Sequence, residues 1–178
     1  MSPFTCTERP GMLTLRLLLL ASITVTLVAC STMNTTPPKD RTEVFAVLDR
    51  LHTAAAAADA PVYWSCFDDQ AVFLGTDASE RWTLDEFKAY AAPHFASGKG
   101  WTYTPSDRHV AFATTGDVAW FDEVVTSAKY GPCRGTGVLV KAGDQWKITQ
   151  YNLTVPIPND LLPAVAEQIR TSGANARP

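Results

Sequence analysis

The stretch from Arg134 to Asn152, RGTGVLVKAGDQWKITQYN, restricts the possible folds more than any other part of the chain. Two runs rich in β-branched and aromatic residues flank a short segment containing Gly and Asp, which is the pattern of a β-hairpin. With Lys141 and Gln145 closing the turn over Ala142, Gly143 and Asp144, Val140 faces Trp146, Val138 faces Ile148, Thr136 faces Gln150 and Arg134 faces Asn152. All eight then share one face, since directly opposed residues point the same way. A slip of one residue would bring Lys147 in among the apolar side chains, which favours this register. The face is apolar near the turn and polar at the far end, where Arg134, Thr136, Gln150 and Asn152 need hydrogen-bond partners. A dry core grading into a polar hollow is how a pocket begins. Gly135, Gly137, Lys147 and Tyr151 fall on the opposite face, which this register leaves exposed or covered by a partner.

The rest of the chain bounds the answer. Its 178 residues suit one domain with short appendages, and a net charge of -3 without clustered Lys or Arg excludes a nucleic-acid surface. Leu13 to Ala29 is an apolar run interrupted by Arg16 and small hydroxyl residues, and it ends in Leu27-Val28-Ala29-Cys30. A basic residue, a short apolar run and small residues before a cleavage point make a secretory signal peptide. The ending resembles the lipobox of bacterial lipoproteins, which implies a mature chain beginning at a lipidated Cys30, anchored in the cell envelope and facing the periplasm. An uncleaved membrane anchor is the other reading of the same run. Met12, just ahead of the run, is a second candidate start. The expected organisation is therefore a signal peptide over 1–29, a tether over 30–39, a domain over 40–170 and a frayed tail over 171–178. Cys66 and Cys133 are left inside the domain. In an oxidising compartment they could form a disulfide, or else pack as small apolar residues.

Within the domain, Val44, Leu48, Leu51, Ala55 and Ala58 recur at helical spacing, with Asp40 as a candidate cap. Val62 to Phe67 reads as a short second helix, Ala71 to Leu74 as a brief strand and Thr76 to Trp82 as a loop. Thr83 followed by Glu86 is a capping box, opening a helix with Leu84, Phe87, Ala91 and Phe95 on one face. From Trp101 the period changes to two, giving strands over 101–114 and 118–129 before the hairpin. Leu161, Leu162, Val165 and Ile169 suggest a closing helix.

This order of elements, with the motifs GTDASERW from Gly75, GKGWTY from Gly98, VAWFDE from Val118, RGTGVL from Arg134 and WKITQYNLTVPIPND from Trp146, resembles the nuclear transport factor 2-like superfamily. More narrowly it is similar to bacterial SnoaL-like domain proteins, over roughly Glu43 to Ile169. The resemblance implies an α+β fold of the cystatin-like kind: a cone-shaped, curved antiparallel sheet wrapped around the N-terminal helices. It further implies a cavity at the open end and a homodimer formed through the sheet. The superfamily holds cofactor-free enzymes, such as ketosteroid isomerase and scytalone dehydratase, as well as non-enzymes, so the fold alone assigns no chemistry. No catalytic set aligns residue by residue, and none is carried over.

The residues themselves offer candidates. Glu123 alternates with Ala119 and Phe121, and the length of the next turn decides which way it points. A four-residue turn, Tyr130 to Cys133, pairs Lys129 with Arg134 and places Glu123 on the face of Arg134; a change of one residue reverses this. Facing a cavity, Glu123 could act as a general base, with Arg134, Gln150 or Asn152 stabilising an oxyanion. The alternative is a structural ion pair closing the cone. Trp64, Trp101, Tyr103 and Phe121 are candidates for an aromatic ligand wall, together with Thr136, Gln150 and Asn152. Glu80 and Arg81 are candidates for the pocket mouth. His52 falls off the apolar stripe and reads as solvated, and no spacing suggests a metal site or a cofactor. Three functions stay open: a binder of a small, partly apolar molecule, a cofactor-free isomerase, lyase or hydrolase, and an assembly module.

Overall fold

The computed structural model describes residues 38–172, all within one compact unit of the chain. Helix α1 spans Pro38–Ala56 and buries Val44, Leu48, Leu51 and Ala55, the stripe expected from the 3.6-residue period. It begins ahead of Asp40, whose carboxylate accepts a hydrogen bond from Lys141 Nζ at 3.0 Å. Asp59 caps α2 (Ala60–Ser65) by accepting the Val62 amide at 3.1 Å, with Pro61 in the first turn, where no amide proton is needed. Strand β1 (Phe67–Leu74) follows. The segment expected to be a loop contains a further strand, β2 (Arg81–Thr83), antiparallel to β1. The Thr83 and Glu86 capping box forms as expected and opens α3 (Leu84–Ala96), which buries Leu84, Phe87, Ala91 and Phe95.

Four long strands complete the sheet: β3 (Thr104–Phe112), β4 (Val118–Ser127), β5 (Gly131–Ala142) and β6 (Gln145–Thr154). Their spatial order is β2-β1-β6-β5-β4-β3, antiparallel throughout except between β1 and β6. This is the expected α+β architecture, a curved sheet over N-terminal helices. Leu48, Leu51 and Phe87 from the helices and Phe121, Leu139 and Ile148 from the sheet share one core. The last helix, α4 (Leu162–Ser172), buries none of its residues, so it forms as the periodicity predicts but does not close the core.

The hairpin register departs from expectation. Ala142 pairs with Gln145, so the turn is Gly143-Asp144, and Lys141 lies opposite Trp146. Gly143 has φ +61°, the backbone that a two-residue turn with Gly in first place requires. The register then shifts on β6: Leu139 pairs with Ile148, but Val138 pairs with Gln150, leaving Thr149 as an extra residue. The inward face consequently carries Gly135, Gly137 and Leu139 on β5, and Trp146, Ile148 and, beyond the bulge, Tyr151 on β6. Arg134, Thr136, Gln150 and Asn152 lie on the outer face. The β4–β5 turn also differs, since Ser127 pairs with Gly131 and Glu123 with Gly135, while Arg134 sits opposite Val124. Glu123 therefore points inward, and not on the face of Arg134. Cys66 and Cys133 are buried free thiols and form no disulfide.

Candidate functional site

Alternation along β4 sends Ala119, Phe121, Glu123 and Val125 into the core, and the side chain of Glu123 is fully enclosed. A buried carboxylate is tolerated only with dense hydrogen bonding. Its Oε1 lies 2.7 Å from His52 Nε2 and accepts from the Tyr151 hydroxyl at 3.4 Å, while Oε2 accepts from Arg108 Nε at 2.7 Å. Arg108 Nη1 donates to Asp49 Oδ1 at 2.8 Å and to the Phe45 carbonyl at 3.4 Å, and the guanidinium lies 5.3 Å from the centre of the Phe45 ring. Its Nη2 is buried with no partner among the described residues.

Phe45, Asp49 and His52 follow the i, i+4, i+7 spacing of a single helix face, so one side of α1 supplies three of the groups around this cluster. Arg108 arrives from β3, where the register shifts between Ser106 and His109 and Asp107 takes a φ of +45°. Tyr151 arrives through the Thr149 bulge. Burial opposes the charge of Arg108, but Glu123 and Asp49 outweigh it and hold its pKa above the ordinary value. Burial pushes the Tyr151 phenol well up, and the charge of Glu123 pushes it further.

A carboxylate can only accept, so a hydrogen bond to ionised Glu123 is one that His52 donates from Nε2, which turns Nδ1 away from the carboxylate. The His52 ring lines a small inner hollow of about 20 Å³, with Leu51, Tyr63, Trp101, Tyr103 and Tyr151 among its other walls. Phe73, Trp101, Tyr103 and Leu153 also border a larger chamber of about 230 Å³, whose outer wall includes Glu80, Trp82, Tyr90 and Tyr130. The cone thus holds a sealed ion-paired cluster, a histidine at its surface and an aromatic chamber beyond.

Of the residues singled out in the sequence, Trp101 and Tyr103 line both spaces, and Glu80 lines the chamber. Glu123 is inward but enclosed behind His52, so it presents no free oxygen to a ligand. Phe121 is core, packed beneath Gly137. Trp64 borders a separate groove between α2 and α3. Arg134, Thr136, Gln150 and Asn152 border none of these spaces, because the two-residue turn and the bulge turn them outward. His52, read from the sequence as solvated, is only 9% exposed, because the buried face of α1 is wider than its apolar stripe. Arg108 and Tyr151 went unnoticed in the sequence, and Cys30 lies outside the described residues. Among the described residues, no three of His, Cys, Asp and Glu converge as metal ligands.

A curved sheet closed over α1 is the nuclear transport factor 2-like, or cystatin-like, fold, and solved structures of that description share it. A nuclear transport factor 2-like protein of unknown function from Pseudomonas putida superposes with a TM-score of 0.59 at 15% identity, over 70% of this chain and 92% of that one. A cystatin-like domain of unknown function from Nostoc punctiforme gives 0.62 at 15%, over 74% and 86%. A candidate scytalone dehydratase from Novosphingobium aromaticivorans gives 0.58 at 13%, over 67% and 85%. The chain belongs to the SnoaL-like domain family, whose model matches residues 44–158. No curated protein matches the sequence.

Proposed function

We propose that this domain binds a small, partly apolar molecule in the chamber of its cone, and that a lipid on Cys30 holds it at the bacterial cell envelope, facing the periplasm. The observation that carries the binding reading is the space of about 230 Å³ walled by Trp101, Tyr103 and their aromatic neighbours. It falls below the range of drug-sized pockets, which suits a ligand of about one substituted ring. Native mass spectrometry of the purified protein tests this directly. A bound small molecule is expected, and Leu153→Trp, which fills both the hollow and the chamber, should remove it. Protein that carries nothing, and binds no ring-sized compound that Leu153→Trp excludes, would end this reading.

One observation favours a second reading, a cofactor-free proton-transfer enzyme. The 2.7 Å contact between His52 and the enclosed Glu123 orients an imidazole at the wall of the inner hollow. In this reading the group that meets a substrate is His52, acting as general base or acid, and Glu123 positions it. Similarity to a candidate dehydratase is consistent with such chemistry. His52→Gln should then abolish turnover while ligand affinity is retained. The outer sheet face, where Trp120 is 49% exposed, would accommodate a second copy of the chain. Sedimentation of Trp120→Lys against the parent chain tests that homodimer.

A further inference from the structure

We infer that the chamber is shaped for an organic cation, an alkylated ammonium group carried on an apolar body. The inference rests on the binding reading above and names the class of ligand. Seven rings line the chamber; Phe73 and Phe87 belong to the core packing, while Trp82, Tyr90, Trp101, Tyr103 and Tyr130 each keep part of their surface open. Tyr90 is 50% exposed and Tyr130 45% exposed, while the other three are half-buried. Trp82 and Tyr90 stack with their centres 4.6 Å apart, each covering a face of the other. Aromatic faces carry negative potential, and several around one space attract a positive centre while excluding the water that would compete for it. Burial pushes the Tyr103 phenol up to about 12, which keeps that ring neutral.

The charge of the lining agrees. Glu80 is the one charged residue among the lining residues, and no Lys or Arg joins it. Its placement is built in. Oε2 accepts the Asp77 amide at 3.1 Å, and a Cβ on Gly75 would lie only 2.1 Å from that oxygen, so only glycine lets the carboxylate fold over the rim. At the mouth, Lys129 Nζ already sits 4.8 Å from the centre of the Tyr130 ring, so the chain's own cation uses a face of this aromatic set. An anionic ligand would meet the Glu80 carboxylate in a wall that no Lys or Arg lines. A neutral one would leave both the carboxylate and the aromatic potential unused.

The test is a pair of probes with one shape and different charge: meta-hydroxyphenyltrimethylammonium and its carbon isostere meta-tert-butylphenol, titrated into the full-length protein by calorimetry. The cation is expected to bind at least about tenfold tighter. Glu80→Gln should cut that preference by several-fold and leave the neutral probe unmoved, with circular dichroism confirming the fold. Equal affinities, or tighter binding of the phenol, would overturn the cation assignment while the chamber stands as a binding site. If neither probe binds and Leu153→Trp changes nothing, the chamber reading falls and the cation assignment with it.

Discussion

Gly135 lies directly across from Glu123, and a Cβ built on it would come within 2.5 Å of the Tyr151 hydroxyl and 3.2 Å of the Glu123 side chain. The missing side chain is the space that lets a carboxylate, an imidazole and a phenol meet inside the sheet. Gly137, two residues on, is as tightly held, since a Cβ there would lie 2.2 Å from the Gln150 carbonyl oxygen. Gly135→Ala should therefore push the Tyr151 hydroxyl away from Glu123 and destabilise the fold by about 1–3 kcal/mol, the usual range for overpacking a core. Urea unfolding would measure it. An unchanged midpoint would mean that the site is looser than these distances imply.

Removing the carboxylate should be worse than removing the whole cluster. Glu123→Ala leaves Arg108 enclosed without its closest counter-charge, and breaking a buried pair in this way costs about 3–5 kcal/mol. Replacing Glu123, Arg108 and His52 together by Leu, Met and Leu should recover much of that loss. Denaturant midpoints of the single and triple variants decide it, and a triple variant no more stable than Glu123→Ala would argue against desolvation as the cause.

Alkaline pH should unfold the domain. Burial pushes the phenols of Tyr63 and Tyr151 upward, with the charge of Glu123 adding to the second, and holds Tyr103 at about 12. In the unfolded chain tyrosine ionises near pH ~10. Above that value the unfolded chain has released protons that the folded one still binds, so stability is complete below pH ~10 and falls as the pH rises toward 12. Phenolate absorbance is expected to appear together with loss of circular dichroism. Ionisation of the buried phenols in protein that keeps its structure would contradict this.

Cys30→Ser should move the protein from the membrane fraction to the soluble one, and mass spectrometry should find the parent chain acylated at that residue. Retention of the variant in the membrane would point to an uncleaved anchor instead.

Helices and architecture were legible in the sequence because their signals are local. Leu84, Phe87, Ala91 and Phe95 had to share a face once Thr83 and Glu86 fixed the start. Strand faces were less legible, because one residue in a turn inverts every side chain downstream. Ala142-Gly143-Asp144 admits a two- or a three-residue turn, and the choice falls to the backbone of Gly143. The bulge at Thr149 carries no Gly or Pro to announce it, yet it turns Tyr151 inward and Gln150 outward. Glu123 was recognisable as the acid of interest, but its partners were not. His52 stands next to a hydrophobic stripe, where a helix edge can be wet or dry depending on what covers it, and Arg108 reaches the same point from a distant strand.

The one parallel pairing in the sheet governs the order of assembly. Phe67 on β1 sits beside Ile148 on β6, so the first long strand to be synthesised pairs early only with the short β2 and finds its long neighbour only in the last. Until then the aromatic half of the molecule, from Tyr63 to Trp101, has no floor to rest on. Such long-range closure slows the final step. The nascent chain stays unsealed until its last strand is complete.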